Sequence, residues 1–366
     1  MRVGVHRLSM ANPGDVSELR KLIDDKVIDP AEVVASIGKT EGNGGANDFT
    51  RALATRAVAD LLAAELGITR EEAGARAALA WSGGCEGVLS PHMTVFTRTG
   101  ASGEGGSTGG LAISVQRTRH FLPEEVGRTG EVAAVAAAVT RALGELRVAA
   151  DEVHYVQVKG PLLTPAGIAD AAARGKEVVT TDPNRSKAYA RGATALGVAV
   201  ALGEVAPEQV TEDVIAADMN LYSAVANTSA GGELTDCEVI VFANSPASAS
   251  PYRIGHGILR DVADVGGVRE ALRDAGLSFD TDPGEEQRAR IAAVFAKAEA
   301  PAGGMLRGHR TTMLSDADIG YERHARAALG GVITSVTGDP RIFVSGGTEH
   351  QCPPGQAPIA AIVRMG

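Results

Sequence analysis

Serine, lysine and arginine recur together in this chain, in a combination that suits acyl transfer. One signature occurs three times: Ser82-Gly83-Gly84-Cys85-Glu86, Ser229-Ala230-Gly231-Gly232-Glu233 and Ser345-Gly346-Gly347-Thr348-Glu349. The shared form is Ser-[Gly/Ala]-Gly-x-Glu. A lysine precedes each copy: Lys39 in SIGKTEGNGG, Lys159 in VHYVQVKGP and Lys297 in VFAKAEAP. An arginine stands between lysine and serine each time: Arg51, Arg191 and Arg323. The Lys-to-Arg spacings of 12, 32 and 26 residues read as divergence by loop insertion within a repeat.

The chemistry follows from the residue types. A serine hydroxyl needs a base to become a nucleophile. A lysine can be that base if burial or nearby cations lower its pKa, and an arginine beside it supplies such a cation while holding a carbonyl or anionic substrate. Gly or Ala after the serine lets backbone N–H groups approach a developing oxyanion. This is the equipment for attack on an amide or imide, and three converging sets would surround a small flat ring. A lone Ser-Gly-Gly is usually a turn, a lone helix arginine is usually solvated, and a strand-end lysine is usually exposed. Recurrence of all three in one order outweighs those readings.

Each serine motif follows a small or apolar run (AALAW, YSAVANT, RIFV) and precedes a strand-like segment (HMTVF, CEVIVF, PIAAIV). Each lysine ends an apolar segment that reads as a strand. The arginines fall on helices: one opened by Asn47-Asp48 and stopped by Gly67 after Leu66, one opened by Ser186, and one opened by Asp318. Breaks at the Gly/Ser stretch 100–110 and at ANSPASASP 243–251 delimit units 1–104, 111–249 and 254–366.

The 366 residues are 44% hydrophobic but 4% aromatic, so Ala, Val, Leu and Ile are expected to fill the core. A net charge of −10 excludes a nucleic-acid-binding face. No apolar run is long enough for a membrane span, and the first residues lack the apolar region of a secretion signal. Cys85, Cys237 and Cys352 form neither a disulfide framework nor a zinc pattern, which fits the cytoplasm. Ser36-x-x-Lys39 lacks the partner motifs of β-lactamases, the 100–110 stretch lacks the ending of a phosphate loop, and Asn227-Thr228-Ser229 is a glycosylation triplet without an export signal. The eight histidines show no metal-ligand spacing and receive no role.

Several segments closely resemble the cyanuric acid hydrolase and barbiturase family. They are Gly38-Lys39-Thr40-Glu41-Gly42-Asn43-Gly44-Gly45 with Asn47-Asp48 and Arg51, Val158-Lys159-Gly160-Pro161, Asn227-Thr228-Ser229, and the run from Val344 to Gly355. The resemblance spans essentially the whole chain. It implies an α/β fold of three pseudo-symmetric repeat units forming a central β-barrel, helices outside, with the substrate on the pseudo-axis. It implies Ser229 as nucleophile and Lys159 as its base. Ser82 with Lys39 and Ser345 with Lys297 would bind and polarise the ring, backed by Gly83, Ala230 and Gly346, while Arg51, Arg191 and Arg323 grip its carbonyls. No catalytic cofactor is implied, but a structural magnesium or calcium ion is. Its ligands would be Glu299 and oxygens of the 348–356 turn, at Thr348, Gln351, Cys352, Pro353 and Gln356. Cys352 and Gln356 depart from the family's usual residues there, although carbonyl ligation does not depend on the side chain. The implied reaction opens cyanuric acid to carboxybiuret, which loses carbon dioxide to give biuret. Opening of barbituric acid to ureidomalonate is the near alternative, and a non-catalytic binder of ring imides is an alternative of another class. The resemblance also implies a homotetramer.

Overall fold

The structure, a computed structural model, describes residues 1–100 and 109–366. Positions 101–108, within the Gly-rich break proposed at 100–110, lie outside the described residues.

The chain runs through β1 (Arg2–Ser9), α1 (Ser17–Asp24), β2 (Val33–Thr40), α2 (Phe49–Leu66), α3 (Arg70–Arg76), β3 (Ala78–Gly83) and β4 (His92–Thr99). There follow β5 (Gly110–Arg117), α4 (Thr129–Leu146), β6 (Val153–Pro161), α5 (Pro165–Ala173), α6 (Pro183–Ala201), β7 (Ala226–Gly231) and β8 (Glu238–Ser245). The remainder comprises β9 (Tyr252–Leu259), α7 (Val265–Asp274), α8 (Glu285–Ala289), β10 (Ile291–Ala298), a small hairpin of β11 (Met305–Leu306) and β12 (His309–Arg310), α9 (Tyr321–Thr337), β13 (Phe343–Gly346) and β14 (Ala357–Arg364).

Three mixed four-stranded sheets result, with orders β1-β4-β2-β3, β5-β8-β6-β7 and β9-β14-β10-β13. These orders are the same when each sheet is numbered along its own stretch of chain. In each, the last strand joined by a helix runs parallel to the lysine-bearing strand, and the other pairings are antiparallel. Even the irregularities correspond: the register shifts at Val33/Ala35, Val153/Tyr155 and Ile291/Ala293, each near the start of the lysine-bearing strand.

A closed barrel is not found. The three sheets keep separate hydrogen-bond ladders, and side chains tie their seams instead. The Asn244 amide donates to Ile254 O at 2.7 Å and accepts from Ile254 N at 3.0 Å, satisfying an edge of β9. Ser248 Oγ and Ser250 Oγ donate to Met1 O and Val3 O, and Glu238 accepts from Leu79 N at 2.9 Å.

The few aromatics are concentrated where the three sheets face one another. Phe96, Phe242, Phe295, Phe343 and Tyr155 pack with ring centroids 5.0–6.3 Å apart. Four of the seven phenylalanines thus sit at this centre, so aliphatic residues alone do not fill the core as composition suggests. Aliphatic side chains do dominate the separate layers between each sheet and its helices. No helix among the described residues is long and apolar enough to cross a membrane.

Candidate active site

The strand registers place every lysine directly opposite a serine. Lys39 faces Ser82, Lys159 faces Ser229, and Lys297 faces Ser345, each on adjacent parallel strands. All three lysines are buried, none more than 2% exposed. Burial is the first cause that lowers each lysine pKa, and an arginine from another sheet's helix adds to it. Lys39 is pushed down to about 7 by burial and then Arg326. Lys159 is lowered by burial, with Arg51 adding and Glu233 opposing. Lys297 is lowered well below the ordinary range by burial and then Arg191.

One narrow cavity of about 40 Å³ is lined by Ser82, Ser229 and Ser345 together with Arg51, Arg191, Arg326, Lys159 and Lys187. It shares Gly44, Lys187, Arg191, Glu322 and Arg326 with an outer cleft of about 660 Å³, so the pair form a funnel. The glycines of the motifs allow this closeness. A Cβ on Gly83 would lie 1.7 Å from the Asp48 carboxylate. Gly347, at φ +81°, lies against the Arg191 guanidinium, which a Cβ would meet at 2.3 Å.

The arginines reach the site from the N-terminal halves of helices α2, α6 and α9. Asp48 caps α2 by accepting from Thr50 N, and Gly67 ends that helix in the left-handed conformation. Helix α6 begins at Pro183 under an Asp182 cap, not at Ser186. Helix α9 begins at Tyr321, not at Asp318. That later start changes the third arginine. Arg323 lies at the rim, its side chain 49% exposed and 3.9 Å from Glu86. Arg326, almost one turn on, is 3% exposed and lines the cavity in its place.

A closed cycle of ion pairs emerges. Arg51 of α2 reaches Glu233 at 3.1 Å, Arg191 of α6 grips Glu349 with two bonds of 2.7 Å, and Arg326 of α9 grips Glu86, with Nε at 2.8 Å. Each glutamate ends one Ser-[Gly/Ala]-Gly-x-Glu motif. Each arginine therefore holds the motif of the next sheet, and the third returns to the first. The sequence exposes these glutamates but gives them no task. Lys187 and Glu322, 3.8 Å apart at the cavity wall, carry no sequence signal at all.

The three serines differ in hydrogen bonding. Ser82 Oγ accepts from Lys39 Nζ at 3.2 Å, and Ser345 Oγ donates to Asn227 Oδ1 at 3.4 Å. Ser229 Oγ is buried with no partner. Lys159 Nζ instead lies 3.2 Å from Glu233 Oε1, the oxygen that Arg51 also holds. Lys297 Nζ is committed to two carbonyls, Thr228 O at 2.7 Å and Gly346 O at 3.0 Å.

The sequence profile of the amidohydrolase ring-opening proteins (Amido_AtzD_TrzD) matches residues 4–364. The chain belongs to this family. It is a hydrolase of the cyclic-amide type. It is 65% identical, over the full length of both chains, to a cyclic amide hydrolase of Azorhizobium caulinodans. It is 48% identical, again over both full lengths, to a cyanuric acid amidohydrolase of Enterobacter cloacae. A solved cyanuric acid hydrolase, described as an innovation by structural concatenation, superposes with a TM-score of 0.94 at 44% identity, over 99% of each chain.

The cation site that the resemblance implies falls at a half-buried carboxylate, Glu299. Glu299 Oε2 accepts from Thr348 Oγ1 at 2.7 Å and Oε1 accepts from Ala300 N at 3.2 Å, both neutral donors. Burial raises its pKa. A half-buried carboxylate bonded only to neutral donors fits a hard cation. Gln351 spends its side chain elsewhere, with Oε1 accepting from Thr228 N at 2.7 Å, so only its carbonyl remains for a cation. Cys352 is a buried free thiol pushed up to about 12 by burial, and a soft sulfur is not the ligand that a hard cation selects.

Proposed function

We propose that the enzyme opens the ring of cyanuric acid to carboxybiuret, with Ser229 as nucleophile and Lys159 as its base. The observation that carries this reading is the unpartnered Ser229 hydroxyl in the shared cavity. Buried polar atoms without partners are rare and need a reason, and a hydroxyl held ready for substrate is such a reason.

The steps follow from the residues around it. Lys159, whose pKa is lowered first by burial and further by Arg51, takes the Ser229 proton in its neutral form as Oγ adds to a ring carbonyl carbon. The resulting ammonium is stabilised by Glu233, so a base that must charge in a buried site has its counter-ion in place. The oxyanion faces backbone N–H groups of the glycine-rich motifs and the cavity arginines. Lys159 then returns the proton to the departing ring nitrogen, the C–N bond breaks, and the ring stays attached to Ser229 as an acyl chain. Water, deprotonated by Lys159, releases carboxybiuret and restores the serine. Arg191 and Arg326, anchored by their glutamates, orient the other carbonyls together with Ser82 and Ser345.

A second reading has its own observation. Lys39, at about 7, is within 3.2 Å of Ser82 Oγ, a preformed pair that could act in the same way. The matching sheet orders and registers support descent of units 1–104, 111–249 and 254–366 from one ancestor. A magnesium or calcium ion at Glu299 and the 348–356 turn would brace the third unit against the motif that carries Ser345, without entering the chemistry. Parallel assays of cyanuric acid and barbituric acid test the substrate. The proposal requires the first to turn over with the higher kcat/KM, and a preference for barbituric acid would overturn it.

A further inference from the structure

His154 and His256 are 102 residues apart in the chain, yet their Nδ1 atoms lie 2.9 Å apart. Asp274, the last residue of α7, places Oδ2 at 3.0 Å from His154 Nδ1 and 3.6 Å from His256 Nδ1. Its position is fixed by the bond that His256 N donates to the same oxygen at 2.8 Å. We infer that these three residues form a binding site for a divalent transition ion of zinc type, clipping the second sheet to the third. Among the described residues no other three His, Cys, Asp or Glu side chains gather in this way.

The spacing suits such an ion. Zinc bonds nitrogen and oxygen at about 2.0–2.2 Å, so neighbouring ligands of a tetrahedron stand about 3.3 Å apart. The three separations here are 2.9, 3.0 and 3.6 Å. The side chains are 15%, 35% and 44% exposed, which leaves water free to supply a fourth ligand. Two imidazoles and a carboxylate are also a set that prefers zinc-type ions over magnesium or calcium.

The fold does not need this cluster. Register identifies the corresponding positions in the other two sheets. The rows Val5–Phe96–Ala35, Ile113–Phe242–Tyr155 and Ile254–Ile362–Ala293 align. One step before the last member lies His154, matched by Val34 and Ala292. Two steps beyond the first lies His256, matched by Arg7 and Val115. Val34 and Val115 both pack on the central core. Two histidines and a carboxylate thus stand where a related seam has two valines. His154 is the second residue of β6 and Lys159 is near its other end, about 16 Å along an extended strand. An ion here would act on stability and leave the chemistry alone.

Full-length protein, stripped of metal with chelator and then titrated with cobalt(II), tests the site. The expected result is one cobalt per chain with visible absorption of a four-coordinate ion, displaced by zinc. Zinc should also raise the thermal midpoint by several degrees. Both signals should be lost in His154→Val/His256→Val, which copies the valine seam and should still fold, and in Asp274→Asn, which keeps the volume. Glu299→Gln should keep the cobalt spectrum, separating this site from the turn at 348–356. Absence of cobalt binding in the wild type, or a spectrum and zinc shift unchanged in both seam variants, overturns the inference.

Discussion

Lys39 and Lys159 occupy the same place in two sheets of the same order, and each faces a serine across a parallel pair of strands. Their surroundings nevertheless differ. Lys39 donates to Ser82 and to Gly83 O, while Lys159 turns to Glu233 and leaves Ser229 unpartnered. Identical backbone registers therefore do not assign identical tasks. The backbone brings the lysine and serine together, and the carboxylate and arginine arriving from neighbouring elements decide which hydroxyl stays free.

The largest expected effect bears on that difference. Ser229→Ala and Lys159→Ala should each lower kcat by roughly four orders of magnitude or more, and the double variant should be little worse than either. Ser82→Ala should retain turnover reduced by about ten- to a hundredfold, the scale of one lost hydrogen bond to a charged group. Equal losses at Ser82 and Ser229 would erase the distinction. Next in size is Arg326→Ala, which strands the Glu86 carboxylate. Denaturant unfolding should show a loss of up to about 3–5 kcal/mol, alongside a fall in kcat/KM. Arg323→Ala at the rim should change stability by less than about 0.5 kcal/mol.

A further effect separates the lysines by pH. Lys39 is held at about 7 in the folded chain against an ordinary 10.5. Between those values the unfolded chain binds the additional proton, so raising the pH should favour the folded state. The stability of the wild type relative to Lys39→Met should accordingly rise from pH 7 towards pH 10 and be level below pH 7. A flat difference across that range would mean that Lys39 is charged when folded. Smallest is the effect of the cation proposed for the third unit. Glu299→Gln or chelation should lower the thermal midpoint by a few degrees while turnover at 25 °C persists. Loss of turnover with an unchanged midpoint would give the cation a chemical role.

Much of this was legible in the residues. The triple signature identified each lysine and serine that the registers bring face to face, because both ends of a short parallel pairing are marked by residue type. The helix stop at Gly67 was equally plain. Arg323 was misplaced because Asp318 resembles a helix cap, whereas α9 starts at Tyr321 under Gly320, without a side-chain cap. Residues three apart share a helix face but stand about 4.5 Å apart along its axis, so Arg323 reaches the rim and Arg326 the cavity. The barrel was not found because seams tied by Asn244, Ser248 and Ser250 carry no pattern in sequence that distinguishes them from a backbone ladder. The histidine pair lay beyond reach for the same reason: His154 and His256 meet only across a seam between sheets.

The central claim is that Ser229 is the residue acylated during ring opening. Rapid quenching of the enzyme with substrate, followed by peptide mass spectrometry, reads the site of the adduct directly. The account predicts added mass on the peptide containing Ser229, its absence from Ser229→Ala, and no adduct on Ser82 or Ser345. An adduct on Ser82 with Ser229 unmodified would contradict it and transfer the chemistry to Lys39.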